Sequence, residues 1–357
     1  MKVAGGRPID KTKIRRILVR STNWVGDAVM CMPAFDALRR NFPESHIAVV
    51  ARPWVAALYE SHPGVDEIIP YPRGEGFFQD ALAMIRVIHC IRCRSFDLAI
   101  LFQNAFEAAL IARLGGMPLR VGYNTDGRRL LLSHAVLRDK SILKQHQVEY
   151  YLAILRAMSW EAPTAEPNLF TGGKEAAVVD ALLAAHGISK GDFVVGLGAG
   201  AAFGPAKRWP VDRFAAIADR AVERWGAKVV LVGSAQDGRT CLDLARAMNH
   251  EAADLCGKTS LAEALALIER CRFFVSNDSG LMHVAAALGV PTIALFGSTD
   301  PVATGPRGRW TRIVKHDLDC APCLKPQCRN GYRCLLSIQP DEVWEAMEKL
   351  RKEAGGP

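Results

Sequence analysis

The sequence predicts an α/β protein built from two doubly wound domains that face each other across a cleft. Short apolar runs of strand length alternate with longer segments of helical period, a pattern typical of parallel sheets. This alternation stops and restarts around residues 161–174. At 357 residues, the chain is also long enough for two domains that each bury a core.

The first predicted domain spans residues 1–165. Its strands are predicted at residues 17–20, 47–51, 67–70 and 98–101, and its helices at residues 28–41, 77–92 and 105–114. The polar, proline-bearing segment 161–174 then interrupts the rhythm. Such a segment is the predicted linker between the two domains.

The second predicted domain spans residues 166–357. Its helices are predicted at residues 175–186, 211–225, 261–270 and 340–351, and its strands at residues 193–197, 228–232, 273–276 and 292–296. The weakly polar run 280–297 contains His283 and Pro291, so it indicates a buried helix and strand rather than a membrane span. Ligands of such folds lie at the carboxyl ends of the strands, so the loops there carry the candidate sites.

The distribution of charge and the composition of the first fifteen residues limit the possible classes of protein. Nearly all of the net charge of +8 lies in the first 165 residues, which favours contact with a polyanion or an anionic membrane surface. The alternative is that the excess charge only aids solubility. The first fifteen residues contain no apolar signal-peptide core, so we predict a cytoplasmic protein.

The loop after the first predicted strand carries the first candidate side chain. Gly26 permits a tight turn there, and Asp27 follows at the predicted helix start. The ordinary role of an aspartate at this position is to cap the helix, which contributes about 1 kcal/mol. The functional alternative is a carboxylate that faces the cleft and accepts a proton from a substrate hydroxyl. Position alone favours the cap.

The loop between Gly196 and Pro210 combines glycines with Lys207. Glycines after a strand let backbone N–H groups approach a phosphate, and a lysine supplies a mobile positive charge for a diphosphate. The loop also fits the Gly-x-Gly-x-x-Ala dinucleotide fingerprint, but the next strand ends in Leu231-Val232-Gly233-Ser234, without an acidic residue for a ribose diol. The alternative is a flexible surface loop in which Lys207 is solvated.

The loop after strand 273–276 carries Asp278, Ser279 and Gly280, with His283 one turn further on. A Ser-Gly pair at a helix N-terminus presents free N–H groups and the positive end of the helix dipole to an anion. Asp278 is unsuited to a phosphate, so we expect it to bind sugar hydroxyls or to cap the helix. His283 can face the same ligand. A satisfied core histidine is the alternative.

Three motifs closely resemble those of the ADP-heptose:lipopolysaccharide heptosyltransferases, with heptosyltransferase II as the nearest type. The second and third are long enough to be specific, whereas the first is short and shared more widely in that family. The resemblance extends from about residue 16 to the final helix. The motifs are Trp24-Val25-Gly26-Asp27, Phe203-Gly204-Pro205-Ala206-Lys207-Arg208-Trp209-Pro210 and Asn277-Asp278-Ser279-Gly280-Leu281-Met282-His283-Val284-Ala285-Ala286-Ala287-Leu288.

The resemblance implies a GT-B fold, in which two Rossmann-like domains face across a cleft. The N-terminal domain is expected to bind the acceptor and the C-terminal domain the nucleotide sugar. The implied reaction moves heptose from ADP-L-glycero-D-manno-heptose to the heptosyl-Kdo-lipid A inner core of lipopolysaccharide. It is expected to invert the anomeric centre and to need neither a metal ion nor a cofactor.

The resemblance also implies roles for individual residues. By matching position, Asp27 is expected to be the general base, Lys207 a catalytic ligand of the donor phosphates, and Asp278 a donor-sugar contact. Ser279, Gly280 and His283 fall where the family closes around the nucleotide diphosphate. Type II proteins often carry Glu where this chain has Ala202, so a donor contact from that side chain is absent here.

Acidic and cysteine clusters raise separate questions about metals. Asp317-Leu318-Asp319 fits the Asp-x-Asp of metal-dependent transferases but follows no convincing nucleotide-binding strand, so we interpret it as a loop. Most of the six scattered cysteines are expected to behave as small buried hydrophobes; they are Cys31, Cys90, Cys93, Cys241, Cys256 and Cys271. Four more lie within fifteen residues, and the sequence leaves open whether they bind zinc, pair as disulfides or stay reduced; they are Cys320, Cys323, Cys328 and Cys334.

Several alternatives stay open at this point. Heptosyltransferase I, or another core heptosyltransferase, would change only the acceptor. An NAD-dependent oxidoreductase is disfavoured by the missing ribose acid, and a nucleic-acid-binding protein by the lack of a basic, aromatic stripe. We therefore expect a monomer, peripheral to the inner membrane, whose partners are ADP-heptose and a lipid A-linked core acceptor at the inner face of the cytoplasmic membrane, and no nucleic acid.

Overall fold

The computed structural model describes residues 2–74 and 76–355, and the chain divides into two compact units, residues 1–167 and 168–357. The division falls inside segment 161–174. Each unit has its own sheet, in which parallel pairing dominates. The predicted α/β class with parallel sheets is confirmed.

The sheet of the first unit has the strand order β1-β7-β6-β5-β2-β3-β4. Only the short β1 pairs antiparallel, with β7. The elements are β1 (Val3–Ala4), β2 (Arg16–Arg20), α1 (Val25–Met30), α2 (Met32–Asn41), β3 (His46–Ala51), α3 (Pro53–Glu60), β4 (Glu67–Pro70), α4 (Phe77–Arg94), β5 (Leu98–Leu101), α5 (Phe106–Leu114), β6 (Leu119–Tyr123), β7 (His134–Val136) and α6 (Gln147–Ala157).

The predicted single helix 28–41 is wrong in two respects. Helix α1 already begins at Val25, and a break at Cys31 separates it from α2. Pro33, at the start of α2, explains the break. Its nitrogen carries no hydrogen, and its ring clashes with the preceding turn, so a continuous helix cannot pass through it.

The second unit contains a six-stranded parallel sheet with the order β10-β9-β8-β11-β12-β13. The predicted helix and strand within 280–297 are confirmed. The elements are α7 (Gly173–Ala184), β8 (Val194–Gly198), α8 (Val211–Trp225), β9 (Lys228–Leu231), α9 (Gly238–Ala247), β10 (Ala252–Asp254), α10 (Leu261–Arg270), β11 (Phe273–Asn277), α11 (Gly280–Ala287), β12 (Thr292–Leu295), α12 (Pro301–Thr304), β13 (Thr311–Val314), α13 (Arg333–Leu336) and α14 (Pro340–Glu353).

The glycines of the apparent dinucleotide fingerprint serve strand packing instead. Gly196 and Gly198 lie inside β8, not in a turn after it. A Cβ on Gly196 would come within 2.5 Å of the Phe274 ring on the neighbouring strand. The helix that follows begins only at Val211. A dinucleotide fingerprint needs its glycines in a tight turn directly before a helix, so this structure does not contain one.

The scattered cysteines behave differently from one another. Cys31 and Cys271 are buried free thiols, as predicted. Cys241 and Cys256 form a disulfide between α9 and the segment after β10, so the prediction of small hydrophobes is wrong for this pair. It is also wrong for Cys93, which is exposed on α4.

A helix that crosses a bilayer needs about 20 predominantly apolar residues. Across the described residues, no helix is both long enough and apolar enough to cross a membrane.

Candidate active site

The loops that carry the predicted donor residues follow two neighbouring strands of the second sheet. Strands β8 and β11 pair in parallel, with Gly198 opposite Ser276. Strand β9 lies beyond β8, and β12 lies beyond β11, so the strand order reverses between them. At such a reversal the connections leave towards opposite faces of the sheet and open a crevice at the carboxyl ends of the strands.

Lys207 and Asp278 form an ion pair across these two loops. The Nζ of Lys207 lies 2.6 Å from Oδ2 of Asp278, and their side chains are only 14% and 4% exposed. The hydroxyl of Thr299, after β12, donates to the same carboxylate oxygen. Three loops of this unit therefore converge on one carboxylate. The alternative of a solvated Lys207 is wrong.

The position of Lys207 follows from a rigid local turn. Residues Pro205–Lys207 form a 3-10 turn, and the ring of Phe203 lies 4.9 Å from the lysine ammonium. Gly204, just before the turn, has φ of 141°, and a Cβ there would lie 2.5 Å from the carbonyl oxygen of Pro326. Only glycine fits at that position. The turn thus aims the ammonium at the crevice.

Asn277 ties the Lys207 loop to the end of β11. Its Nδ2 donates to the carbonyl of Ala199 at 2.7 Å, and its Oδ1 accepts from the backbone N–H of Trp209 at 3.0 Å. The residue is fully buried. The sequence analysis included Asn277 in a motif but gave it no role. The available signal was the pair of polar residues, Ser276 and Asn277, that ends an otherwise apolar strand.

The N-terminus of α11 faces the same edge of the sheet. Ser279 is the N-cap residue, but its Oγ makes no capping hydrogen bond and lies 3.1 Å from Oγ of Ser276. Gly280 is the first helical residue, and His283 is buried one turn further along. The prediction that Asp278 caps this helix is wrong, because its carboxylate is held by Lys207 and Thr299. The first N–H groups of α11 therefore keep their capacity to bind an anion.

An acidic side chain that sequence reasoning missed also lies beside the glycine-rich loop. Asp237, in the segment after β9, accepts hydrogen bonds from the backbone N–H and the hydroxyl of Ser234. A Cβ on Gly200 would come within 2.2 Å of its carboxyl carbon. An acidic residue for a ribose was expected only at the end of the strand, in residues 231–234, and Asp237 lies three residues further along the chain.

In the first unit, Asp27 occupies the first turn of α1 rather than its cap position. The N-cap residue is Trp24, and Asp27 is the third helical residue. The capping interpretation of Asp27 is therefore wrong, although a carboxylate in the first turn still interacts favourably with the helix dipole. The residue is half-buried at the carboxyl edge of the sheet, after β2.

Tyr151, on α6, supplies a hydrogen-bond donor to Asp27. Its hydroxyl lies 3.4 Å from Oδ1 of Asp27. Burial, followed by the charge of Asp27, holds the pKa of Tyr151 well above its ordinary value. Burial and Asp27 also raise the pKa of Cys31. Both groups stay protonated at neutral pH, so the Tyr151 hydroxyl is a neutral donor to Asp27. The sequence analysis did not identify Tyr151.

Two arginines meet near the ends of β2 and β3. The guanidinium groups of Arg20 and Arg52 lie 5.4 Å and 4.1 Å from the centre of the Tyr71 ring. Burial, and then the positive charge of Arg52, lowers the pKa of Arg20 to about 10. Glu107 lies 3.8 Å from Arg52. Both guanidinium groups are largely buried and donate to backbone carbonyl groups, and the charge excess of the N-terminal half did not identify this cationic pair.

The Asp-x-Asp segment lies in an exposed loop after the edge strand β13. Asp317 accepts a hydrogen bond from Lys315 at 2.7 Å, and this bond lowers the pKa of its carboxyl group. Asp319 is exposed as well. The pair does not belong to any group of three potential metal ligands among the described residues.

Two α/β units, each with a Rossmann-like sheet in which parallel pairing dominates, are the architecture of the GT-B glycosyltransferases. The structure of Escherichia coli ADP-heptose LPS heptosyltransferase II has this fold; it is 30% identical, with a TM-score of 0.82 over 96% of this chain and 100% of that one. A glycosyl transferase family 9 structure from Veillonella parvula is 25% identical, with a TM-score of 0.85 over 95% and 97% of the two chains.

The family follows from the sequence comparisons. The model of glycosyltransferase family 9 (heptosyltransferase) matches residues 84–333. Lipopolysaccharide heptosyltransferase 2 of Salmonella typhimurium is 33% identical over 352 residues, which are 95% of this chain and 99% of that protein. The chain belongs to glycosyltransferase family 9, the heptosyltransferases.

Proposed function

We propose that this protein is an inverting, metal-independent transferase that moves heptose from ADP-heptose to the heptosyl-Kdo-lipid A inner core of lipopolysaccharide. Unit 168–357 binds the donor, and unit 1–167 binds the acceptor. The observation that carries the proposal is the Lys207–Asp278 pair beside the N-terminus of α11. Both lie at a strand reversal, where ligands of such sheets bind.

Donor binding uses the charges of the second unit. The ammonium of Lys207 and the first N–H groups of α11 contact the diphosphate, which suits both a point charge and a helix N-terminus. Asp278 holds Lys207 in place and contacts the hydroxyls of the heptose. Ser279, Gly280 and His283 line the diphosphate site.

Acceptor activation uses the first unit. Asp27 accepts the proton of the acceptor hydroxyl, and Tyr151 orients its carboxylate. Such general-base catalysis typically contributes about 10²–10⁴-fold. Arg20 and Arg52 attract the acidic inner core. Their guanidinium groups lie against the same Tyr71 ring, and an added anion would offset the repulsion between the two positive charges.

The chemical step is a direct displacement. The acceptor oxygen forms a bond to C1 of heptose, while the bond from C1 to the phosphate oxygen of ADP breaks. The proton passes to Asp27, and the electron pair leaves with ADP. Lys207 and the N-terminus of α11 stabilise the growing negative charge, a task that other transferases give to a divalent ion. Attack opposite the leaving group inverts the anomeric centre.

An apolar stripe on α4 supports docking at the cytoplasmic face of the inner membrane. Phe78, Leu82 and Ile85 follow helical spacing along one exposed side, and Phe77 and Phe78 are each 82% exposed. The buried residues of α4 are Ala83, Val87 and Ile91. Exposed arginines flank the stripe at positions 73, 86 and 92. An amphipathic helix with basic flanks suits an interface of anionic lipids.

The type II assignment rests on the relatives. The Salmonella protein is named a heptosyltransferase 2, and the E. coli structure is titled an ADP-heptose LPS heptosyltransferase II. Both match nearly the whole chain. We therefore propose an acceptor that already carries one heptose, rather than the heptose-free acceptor of a type I enzyme.

The test is an assay of purified protein with ADP-heptose and two acceptors, Kdo-lipid A with and without the first heptose. We expect mass spectrometry to show one added heptose on the heptosylated acceptor, without added Mg²⁺ or Mn²⁺, and NMR to show an inverted linkage. Activity only on the heptose-free acceptor would indicate type I. Strict dependence on added Mg²⁺ or Mn²⁺ would contradict the role given to Lys207.

A further inference from the structure

Four cysteines surround one cavity in the second unit. Cys320, Cys323, Cys328 and Cys334 all line a space of about 260 Å³, together with Ala206 and Ser298. All four are free thiols. The first three lie on the irregular segment between β13 and α13, and Cys334 is buried on α13.

The backbone of this segment is arranged to stabilise a thiolate at Cys328. Its sulfur accepts hydrogen bonds from the backbone N–H groups of Asn330 at 3.2 Å and Tyr332 at 3.3 Å. The turn that directs both groups inward places Gly331 and Tyr332 at φ of 64° and 55°. A left-handed conformation is uncommon for a bulky residue such as Tyr332, so the surrounding structure must hold it.

The lining of the cavity also carries positive charge. Lys325, Arg329 and Arg333 line the same cavity. Nearby cations stabilise the thiolate form, which is the form that binds metals. A divalent cation would balance the charge of several thiolates around one cavity.

We propose that Cys320, Cys323, Cys328 and Cys334 form a structural site for a soft divalent metal ion of the zinc type. Four thiolates and no further ligand make a closed tetrahedral site. In this structure the four sulfur atoms are too far apart to bind one ion together, since no three of them lie within 4.8 Å of one another. Zinc–sulfur bonds of about 2.3 Å therefore require the irregular segment to close around the ion.

The site would stabilise the neighbouring Lys207 turn. The backbone N–H of Ala206 donates to the carbonyl of Pro326 at 3.1 Å, and Gly204 contacts the same carbonyl. The N–H of Leu324 donates to the carbonyl of Ser298 at 2.8 Å, next to Thr299. Ordering the cysteine segment thus fixes two loops that hold the Lys207–Asp278 pair. This consequence rests on the proposed function, whereas the metal site does not.

The test is the metal content of the full-length protein, purified under reducing conditions, together with Co²⁺ titration of the metal-free protein. We expect about one zinc ion per chain and a cobalt spectrum with thiolate charge-transfer bands and the intense visible bands of tetrahedral coordination. Cys328→Ser and Cys320→Ser should each lower the bound metal at least about tenfold. Cys93→Ser, a change of an exposed thiol on α4, is the matched control and should leave it unchanged.

Other outcomes would overturn the proposal. Cys241, Asp254 and Cys256 lie elsewhere in this unit, and their ligand atoms do lie within 4.8 Å of one another. If the metal is lost in Cys256→Ser but kept in Cys328→Ser, it is bound by Cys241, Asp254 and Cys256 and not by the four cysteines of the proposed site. Metal-free protein whose four thiols titrate freely and bind no Co²⁺ would also contradict the site. Neither outcome depends on heptose transfer, so failure here is distinct from failure of the proposed function.

Discussion

The ammonium of Lys207 lies 2.6 Å from the carboxylate of Asp278, although the two residues come from loops after different strands. The carboxylate holds the ammonium of Lys207 at the crevice where a diphosphate would bind. Because the carboxylate is almost fully buried, it depends on this lysine for charge compensation. One residue can therefore affect both stability and donor binding, and a suitable set of variants can separate the two effects.

Lys207→Met is expected to lower the free energy of unfolding by about 3 kcal/mol, because it leaves the Asp278 carboxylate buried without its cation. The affinity for ADP should fall at least about tenfold, because a charge-assisted contact with phosphate is lost. Urea unfolding and calorimetric titration with ADP measure the two effects.

The double variant Lys207→Met/Asp278→Asn removes both charges and should recover most of the lost stability but not the ADP affinity. Lys190→Met is the matched control, because its ion pair with Asp180 is exposed and contributes less than about 1 kcal/mol. Recovery of ADP affinity in the double variant would show that Lys207 does not bind the phosphates.

How far the sequence predicts this site depends on the range of the interactions involved. The residue types at positions 207 and 278–280 follow from local loop chemistry and from the family resemblance. Their ion pair does not, because it joins residues on different strands and depends on the strand order. Thr299 and Asn277 were missed for the same reason. Asp27 was placed in the right loop, but α1 begins at Val25, three residues before the predicted start, so its capping alternative was wrong.

Tyr151→Phe is expected to move the acid limb of the pH–rate profile to higher pH. The Tyr151 hydroxyl donates to the Asp27 carboxylate, and such a bond favours the ionised form. Without it, the carboxylate gains a proton at a higher pH, and turnover falls earlier as pH decreases. The measurement is kcat between pH 5 and pH 9. An unshifted acid limb would show that Tyr151 does not influence the protonation of the catalytic base.

Arg52→Gln is expected to raise KM for the lipid-linked acceptor at least about tenfold, because a charged contact with the acidic core is lost. KM for ADP-heptose should not change. Arg52→Lys keeps the charge and should recover part of the affinity. Arg40→Gln, a change of an exposed arginine on α2, is the control. Equal effects on both KM values would contradict an acceptor role.

Leu82→Ser combined with Ile85→Ser is expected to weaken binding to vesicles of phosphatidylethanolamine and phosphatidylglycerol at least about tenfold, because the buried apolar area falls. Both side chains are exposed, so the melting temperature should not change. Val178→Ser, at an exposed apolar position on α7, is the control. Binding is measured by flotation of the protein with the vesicles. If the double variant floats with them as well as the parent does, the α4 stripe is not the docking surface.

Two of the strands that sequence periodicity missed share a physical cause. Strand β10 has three residues, and the edge strand β13 is mostly half-exposed, so neither presents the continuous apolar run of a strand covered on both faces. The central strands β2, β3 and β5 are buried along nearly their whole length and were predicted within one residue. Burial alone does not decide the outcome, because the interior strand β6 is almost fully buried and was missed, whereas the edge strand β4 was predicted at residues 67–70.

The central claim is that Asp27 activates the acceptor while the second unit binds the donor independently. Asp27→Asn preserves size and can still accept a hydrogen bond from Tyr151, but an amide cannot take up the acceptor proton. The deciding measurement is kcat with the heptosylated acceptor, together with the Kd for ADP-heptose of the same preparation. We predict a fall in kcat of at least about a hundredfold with an unchanged Kd and melting temperature. A variant that turns over within a few-fold of the parent would contradict the account.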